Sequence, residues 1–104
     1  MKVLMDECVP TPLRKVLSNH EFSTIDDLGW KGIKNGALVA KAAGQFDALI
    51  TADKNLRYQQ NLPQRSMAVL ELPTPHWPTL RQHVAEIQRA MDALKPNDYV
   101  TLTF

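Results

Sequence analysis

Asp6 and Glu7 stand side by side, directly after the apolar run Lys2-Val3-Leu4-Met5 and just ahead of Pro10 and Pro12. Adjacent carboxylates repel each other and lose hydration where a buried strand ends, so the pair calls for a counter-charge. Asp26 and Asp27 follow a second apolar stretch, and Asp53 lies two residues past a third, within Leu49-Ile50-Thr51-Ala52-Asp53-Lys54-Asn55. A hard divalent cation with oxygen ligands, Mg²⁺ or Mn²⁺, is the simplest partner for such acids, and Thr51 and Asn55 add neutral oxygens. Lys31, Lys34, Lys54 and Arg57 surround the same segments with cations suited to phosphate. An acidic centre with a basic rim is equipped for phosphoryl chemistry, in which the ion orients a phosphodiester oxygen and activates a water for in-line attack. Each part also has a plainer reading. An acid pair after a strand serves as a solvated loop or as charge at a helix N-terminus. Asp26 and Asp27 read first as turn residues, the basic residues as solvated charge, and Asp47, at the start of its strand, as structural.

These residues are useful together only if the fold brings them to one edge. Residues 2–5 read as a strand, and Thr11 with Pro12 supplies an N-cap and first-turn proline for a helix burying Leu13, Val16 and Leu17. Residues 22–25 form a second strand, ended by the acids and the Gly29-Trp30-Lys31-Gly32 loop. Asn35 caps a helix carrying Leu38, Val39 and Ala42, which Gly44 closes in the left-handed conformation. Residues 46–51 and 67–72 are the third and fourth strands, with a short helix expected within residues 55–61. Thr79 and Gln82 form a capping box for a last helix with Leu80, Val84, Ile87, Met91 and Leu94 on one stripe. Residues 99–104 close the chain as a strand.

Strands separated by helices cross over in the right-handed sense, so the expectation is an α/β domain with a mainly parallel sheet. Strands of such a sheet that feed crossover helices end on one edge, which is where these folds place their sites. Asp6, Glu7 and Asp53 are then neighbours.

The 104 residues fit a single domain spanning residues 1–104, and 44% hydrophobic with 22% charged residues is an ordinary globular balance. No apolar run is long enough to cross a bilayer and no signal peptide opens the chain, so no membrane partner and a cytoplasmic location are expected. The lone Cys8 excludes an intrachain disulfide and reads as a buried small apolar residue. His20, His76 and His83 lack metal-ligand spacing and read as surface or cap residues, while Trp30 and Trp77 read as loop anchors on the core. A net charge of +1 leaves nucleic-acid binding to a local patch.

The segments MKVLMDECVPTPLRKVLSNHEFSTIDDLGWKGIKNG (1–36) and FDALITADKNLRYQQNL (46–62) resemble the short PIN-like proteins. Those begin with an apolar strand ending Asp-Glu-(x)-(Leu/Val)-Pro and carry a (Val/Ile)-Thr-x-Asp-x-(Asn/Asp)-(Leu/Phe) segment after the third strand. The resemblance implies a three-layer α/β/α sandwich and a carboxylate cluster that binds Mg²⁺ or Mn²⁺ and cleaves RNA. It implies Asp6 and Asp53 as the metal acids, with Glu7 in the same opening motif; the placement of the residues on the edge, not the resemblance, puts Lys34, Lys54, Asn55 and Arg57 on the substrate. The resemblance further implies a toxin of a toxin–antitoxin pair, with a cognate antitoxin protein and a homodimer as partners. One departure is plain. Relatives carry an acid in the first turn of the second helix, where this chain has Asn35-Gly36-Ala37, so either the site is impaired or Glu7 and Asp27 take its place.

Three rivals follow from the same residues. A receiver domain also gathers acids around Mg²⁺, but strand four ends in Glu71-Leu72-Pro73 without the switch hydroxyl. Cys8 and Arg14 have thiolate-phosphatase spacing, yet Pro10 and Pro12 delete the backbone donors that would cradle phosphate. The third is a PIN-like scaffold that binds RNA or a partner protein without cutting.

Overall fold

Three of the four residues in β1 (Lys2–Met5), and all four in both β3 (Ala48–Thr51) and β4 (Ala68–Glu71), are buried, as in strands covered on both faces. The computed structural model describes residues 1–33, 35–54 and 67–104. With β2 (Glu21–Thr24) and β5 (Tyr99–Thr101) they form one five-stranded, all-parallel sheet in the order β2-β1-β3-β4-β5. The α/β class with a parallel central sheet is therefore the observed architecture.

Side chains alternate across the sheet and give it two cores. Val3, Met5, Ala48, Ile50 and Leu70 pack beneath α1 (Leu13–Val16), α3 (Trp77–Arg81) and α4 (Val84–Asp92), through Leu13, Leu80, Ile87 and Met91. Leu4, Leu49 and Val69 pack on the opposite face under α2 (Asn35–Ala42), through Leu38, Val39 and Ala42. Trp30 and Trp77 are partly buried against these cores, and Trp30 meets Phe46 edge-on at 6.2 Å. Both act as anchors, as their sequence context indicates. Gly44 has φ +87°, the left-handed turn expected after α2.

The local starts differ from the sequence reading. Pro12, not Thr11, occupies the N-cap position of α1, and no side chain caps it. The helix is only four residues long, so its C-terminal residue Val16 faces solvent while Leu13 and Leu17 stay buried. The expected single C-terminal helix is two. Pro78 starts α3 a turn early with His76 at the N-cap, so Thr79 lies inside the helix, its hydroxyl 3.0 Å from His76 Nδ1, and no Thr79–Gln82 box forms. A second helix begins after His83, whose ring stacks on Phe104 at 4.0 Å. β5 stops at Thr101. His20 is no surface residue: its side chain is 8% exposed and lies 2.6 Å from Asp92. The short helix expected within residues 55–61 lies outside the described residues.

Candidate active site

The strand order reverses between β1 and β3, since the chain runs from β1 outward to β2 and returns to the other side of β1. Crevices beyond the carboxyl ends of strands at such a reversal are where open α/β sheets hold ligands. Asp6 leaves β1 there and Thr51 ends β3. Met5 is in register with Ile50, and the Asp6 N–H donates to the Ile50 carbonyl at 3.0 Å, so Asp6 is held opposite Thr51.

Thr51 is fully buried, and its hydroxyl ties the two acidic motifs together. It donates to Asp6 Oδ2 at 2.7 Å and accepts the Asp53 N–H at 3.0 Å. The other Asp6 oxygen accepts the Glu7 N–H at 2.8 Å. Cys8 Sγ lies 3.7 Å from the same hydroxyl and accepts the Ala52 N–H at 3.3 Å. A hydroxyl has one hydrogen. Because Thr51 gives it to Asp6, Cys8 must be the donor in the sulfur contact, which requires a protonated thiol. Desolvation raises the Cys8 pKa above its ordinary value, the negative charges of Asp6 and Asp53 add to the rise, and the Ala52 N–H opposes it. Cys8 was expected among the buried apolar residues. It is instead exposed as a residue, with only its sulfur turned in towards β3.

Glu7 points elsewhere. Its Oε1 accepts the Gly32 N–H at 2.8 Å, fastening the 29–32 loop to the end of β1. Gly29 and Gly32 have φ of +70° and +88°, a left-handed backbone that strains any residue with a Cβ. The loop carries Lys31 to the rim of a cleft of about 250 Å³, where it joins Asp6, Glu7 and Asp26 above Met5, Val9 and Ile25. Asp27 turns back to accept the Thr24 N–H at 3.0 Å and to pair with Arg14 at 2.9 Å, a turn residue as expected. Those contacts, the Thr24 N–H foremost and Arg14 next, hold its carboxyl below the usual range. Asp47 accepts the Lys2 N–H at the opposite edge and is structural. Lys54 is exposed, while Lys34, Asn55 and Arg57 lie outside the described residues.

Among the described residues no three His, Cys, Asp or Glu side chains converge closely enough to hold one ion. Magnesium does not require such a cage: one or two carboxylates suffice when water and substrate phosphate complete the octahedron. The hard-oxygen donors Asp6 and Asp53 suit that mode, and the Thr51 hydroxyl touches the Asp6 carboxylate and the Asp53 N–H. Ala37 is exposed and offers no ligand.

Glu71 was not singled out by its spacing. It is fully buried at the end of β4, in register with Thr51, and its Oε1 accepts the Tyr99 hydroxyl at 2.9 Å. The one available signal was an acid inside the otherwise apolar Ala68-Val69-Leu70-Glu71-Leu72. Comparison of the chain with protein-family models, curated proteins and solved structures returned no match.

Proposed function

We propose that the chain is a PIN-like, divalent-metal-dependent endoribonuclease, the toxin of a toxin–antitoxin pair, acting at the β1/β3 crevice. The observation that supports this most directly is the Thr51 hydroxyl, which binds the Asp6 carboxylate and the Asp53 backbone N–H at once and so brings the two motif residues together at the carboxyl edge. Asp6 and Asp53 would hold Mg²⁺ or Mn²⁺. When bound, such an ion neutralises a phosphodiester oxygen and lowers the pKa of a water. Thr51 orients Asp6 by occupying Oδ2, and the Glu7 N–H fixes Oδ1, so the carboxylate cannot rotate freely. Glu7 assists by holding the 29–32 loop in place, and Lys31 and Lys54 steady phosphates. A cognate antitoxin and a second copy of the chain belong to this reading as partners, in the cytoplasm.

Two observations favour a second reading, a PIN-like scaffold that binds RNA or a protein without cutting. The Glu7 carboxylate is engaged by Gly32, and position 37 is alanine. Mn²⁺ titration separates them. The nuclease reading expects Mn²⁺ to raise the melting temperature, as any ligand selective for the folded state does, and to support cleavage of a mixed RNA pool. Asp6→Asn and Asp53→Asn should abolish both effects. A protein that ignores Mn²⁺, leaves RNA intact and is no less stable as Asp6→Asn is the scaffold.

A further inference from the structure

We infer that Glu7 is a positioning residue and not an ion ligand: its side chain latches the 29–32 loop, so that Lys31 is held at a fixed reach from the Asp6 carboxylate. The substrate, an RNA phosphate, rests on the reading of the crevice given above; the latch itself rests on two hydrogen bonds. The Glu7 N–H donates to Asp6 Oδ1 at 2.8 Å, and Glu7 Oε1 accepts the Gly32 N–H at 2.8 Å. One residue therefore touches the motif acid with its backbone and a loop 25 positions further on with its side chain.

The loop gains from such a latch. Gly29 and Gly32 bound it, both with a left-handed φ, and glycine leaves a backbone more conformations to lose than any other residue. Trp30 anchors one side, edge-on to Phe46 at 6.2 Å and with Lys41 Nζ 5.1 Å from its ring centre. Lys31 lies between that anchor and the Gly32 amide, on the rim of the cleft that Asp6 also lines. Lysine is a point charge on a flexible stem, so a backbone already held in place lowers the ordering cost of gripping a phosphate. The charge of Glu7 gives the inference a sign. An acid on the rim repels a polyanion, so removing the charge alone should tighten RNA binding. A latch predicts the reverse for alanine, which loses the acceptor, and not for glutamine, which is uncharged but keeps an acceptor oxygen for the Gly32 N–H.

Fluorescence anisotropy of a labelled, mixed-sequence oligoribonucleotide with the full chain in EDTA tests this without cleavage. Glu7→Ala should bind about three- to tenfold more weakly than the native chain, the worth of one hydrogen bond, and Glu7→Gln at least as tightly as the native chain. Lys31→Ala should also weaken binding, and adding Glu7→Ala to it should cost nothing more, because a latch acts only through the residue it holds. Hydrogen exchange at the Gly32 amide should quicken in Glu7→Ala and stay slow in Glu7→Gln, with the β1 and β3 amides unchanged in both. Unchanged or tighter binding by Glu7→Ala, weakened binding by Glu7→Gln, additive losses in the double variant, or no RNA binding by the native chain would each overturn the latch. So would a melting temperature that Mn²⁺ raises in the native chain but not in Glu7→Gln, since that would make Glu7 a ligand. Cleavage in Mn²⁺ reports the nuclease reading separately. RNA bound with the expected variant pattern but never cut removes that reading and leaves the latch, whereas cleavage alongside an unchanged Glu7→Ala affinity does the opposite.

Discussion

At the scale of single residues, the chemistry of the edge depends on a hydroxyl more than on any acid. Thr51 fills every hydrogen-bonding position it has: one donated to Asp6, two accepted from Asp53 and Cys8. Replacing it with valine keeps the shape and burial but leaves the Asp53 N–H and Asp6 Oδ2 without that partner. Losing a hydrogen bond of this kind costs about 0.5–1.5 kcal/mol, so Thr51→Val should lower urea-denaturation stability by that order, and Thr51→Ser should restore most of it. A serine variant as unstable as the valine variant would show that the methyl group, not the hydroxyl, holds the edge. The sequence marks Thr51 as an oxygen near the acids. It cannot show that the hydroxyl joins residues 45 positions apart, because that follows from the pairing of Met5 with Ile50. Glu7 illustrates the same limit, since its place in the opening motif says nothing about the Gly32 amide that takes its carboxylate.

At the scale of elements, apolar periodicity was informative wherever burial, not capping, decides the structure. Of the stripe Leu80, Val84, Ile87, Met91 and Leu94 all but Val84 are buried as its spacing indicates, and Val84 is partly so, even though two helices and the turn after them carry it and not one helix. The break could not be read locally. His83 adopts φ −122° and ψ 24° at the start of α4, with its ring on Phe104 and its Nδ1 2.7 Å from Glu86, and nothing in residues 79–94 announces Phe104. Thr11 and Thr79 failed as caps for a related reason: the neighbouring prolines set where each helix starts, and neither threonine ends up at the first non-helical position. Ile87 is fully buried in the core shared by β1, β3 and β4. Ile87→Ala should therefore cost about 2–5 kcal/mol by chemical denaturation. Val84→Ala, at a partly buried position of the same helix, should cost clearly less. Equal losses would mean that α4 does not dock through the stripe.

At the scale of the whole molecule, the alternation of strands and helices already implied a parallel sheet, and the acids then had to share its carboxyl edge. The order β2-β1-β3-β4-β5 was not legible, because crossover connections of similar length can add a strand on either side. What ties the distant parts together is also electrostatic. Asp27 joins the turn after β2 to Arg14 on α1, and Asp92 joins α4 to His20 ahead of β2. Both carboxyls are held below their ordinary value of 3.8, Asp27 chiefly by the Thr24 N–H and then Arg14, Asp92 chiefly by His20 and then Gln88. A carboxyl with a depressed folded-state pKa binds protons more readily in the unfolded chain. Its contribution is therefore complete above the unfolded value and is lost as pH falls through the lowered folded one. The urea midpoint of the native chain should thus decline as pH drops below about 4, where unfolded carboxylates titrate. The Asp27→Asn/Asp92→Asn double variant should begin from a lower midpoint at pH 6 and decline less steeply over the same range. Because both acids are exposed, the gap between the two curves should narrow in 1 M salt, where screening acts within about 3 Å. Parallel curves from pH 6 down to pH 2 would mean that these two contacts do not couple acid to unfolding.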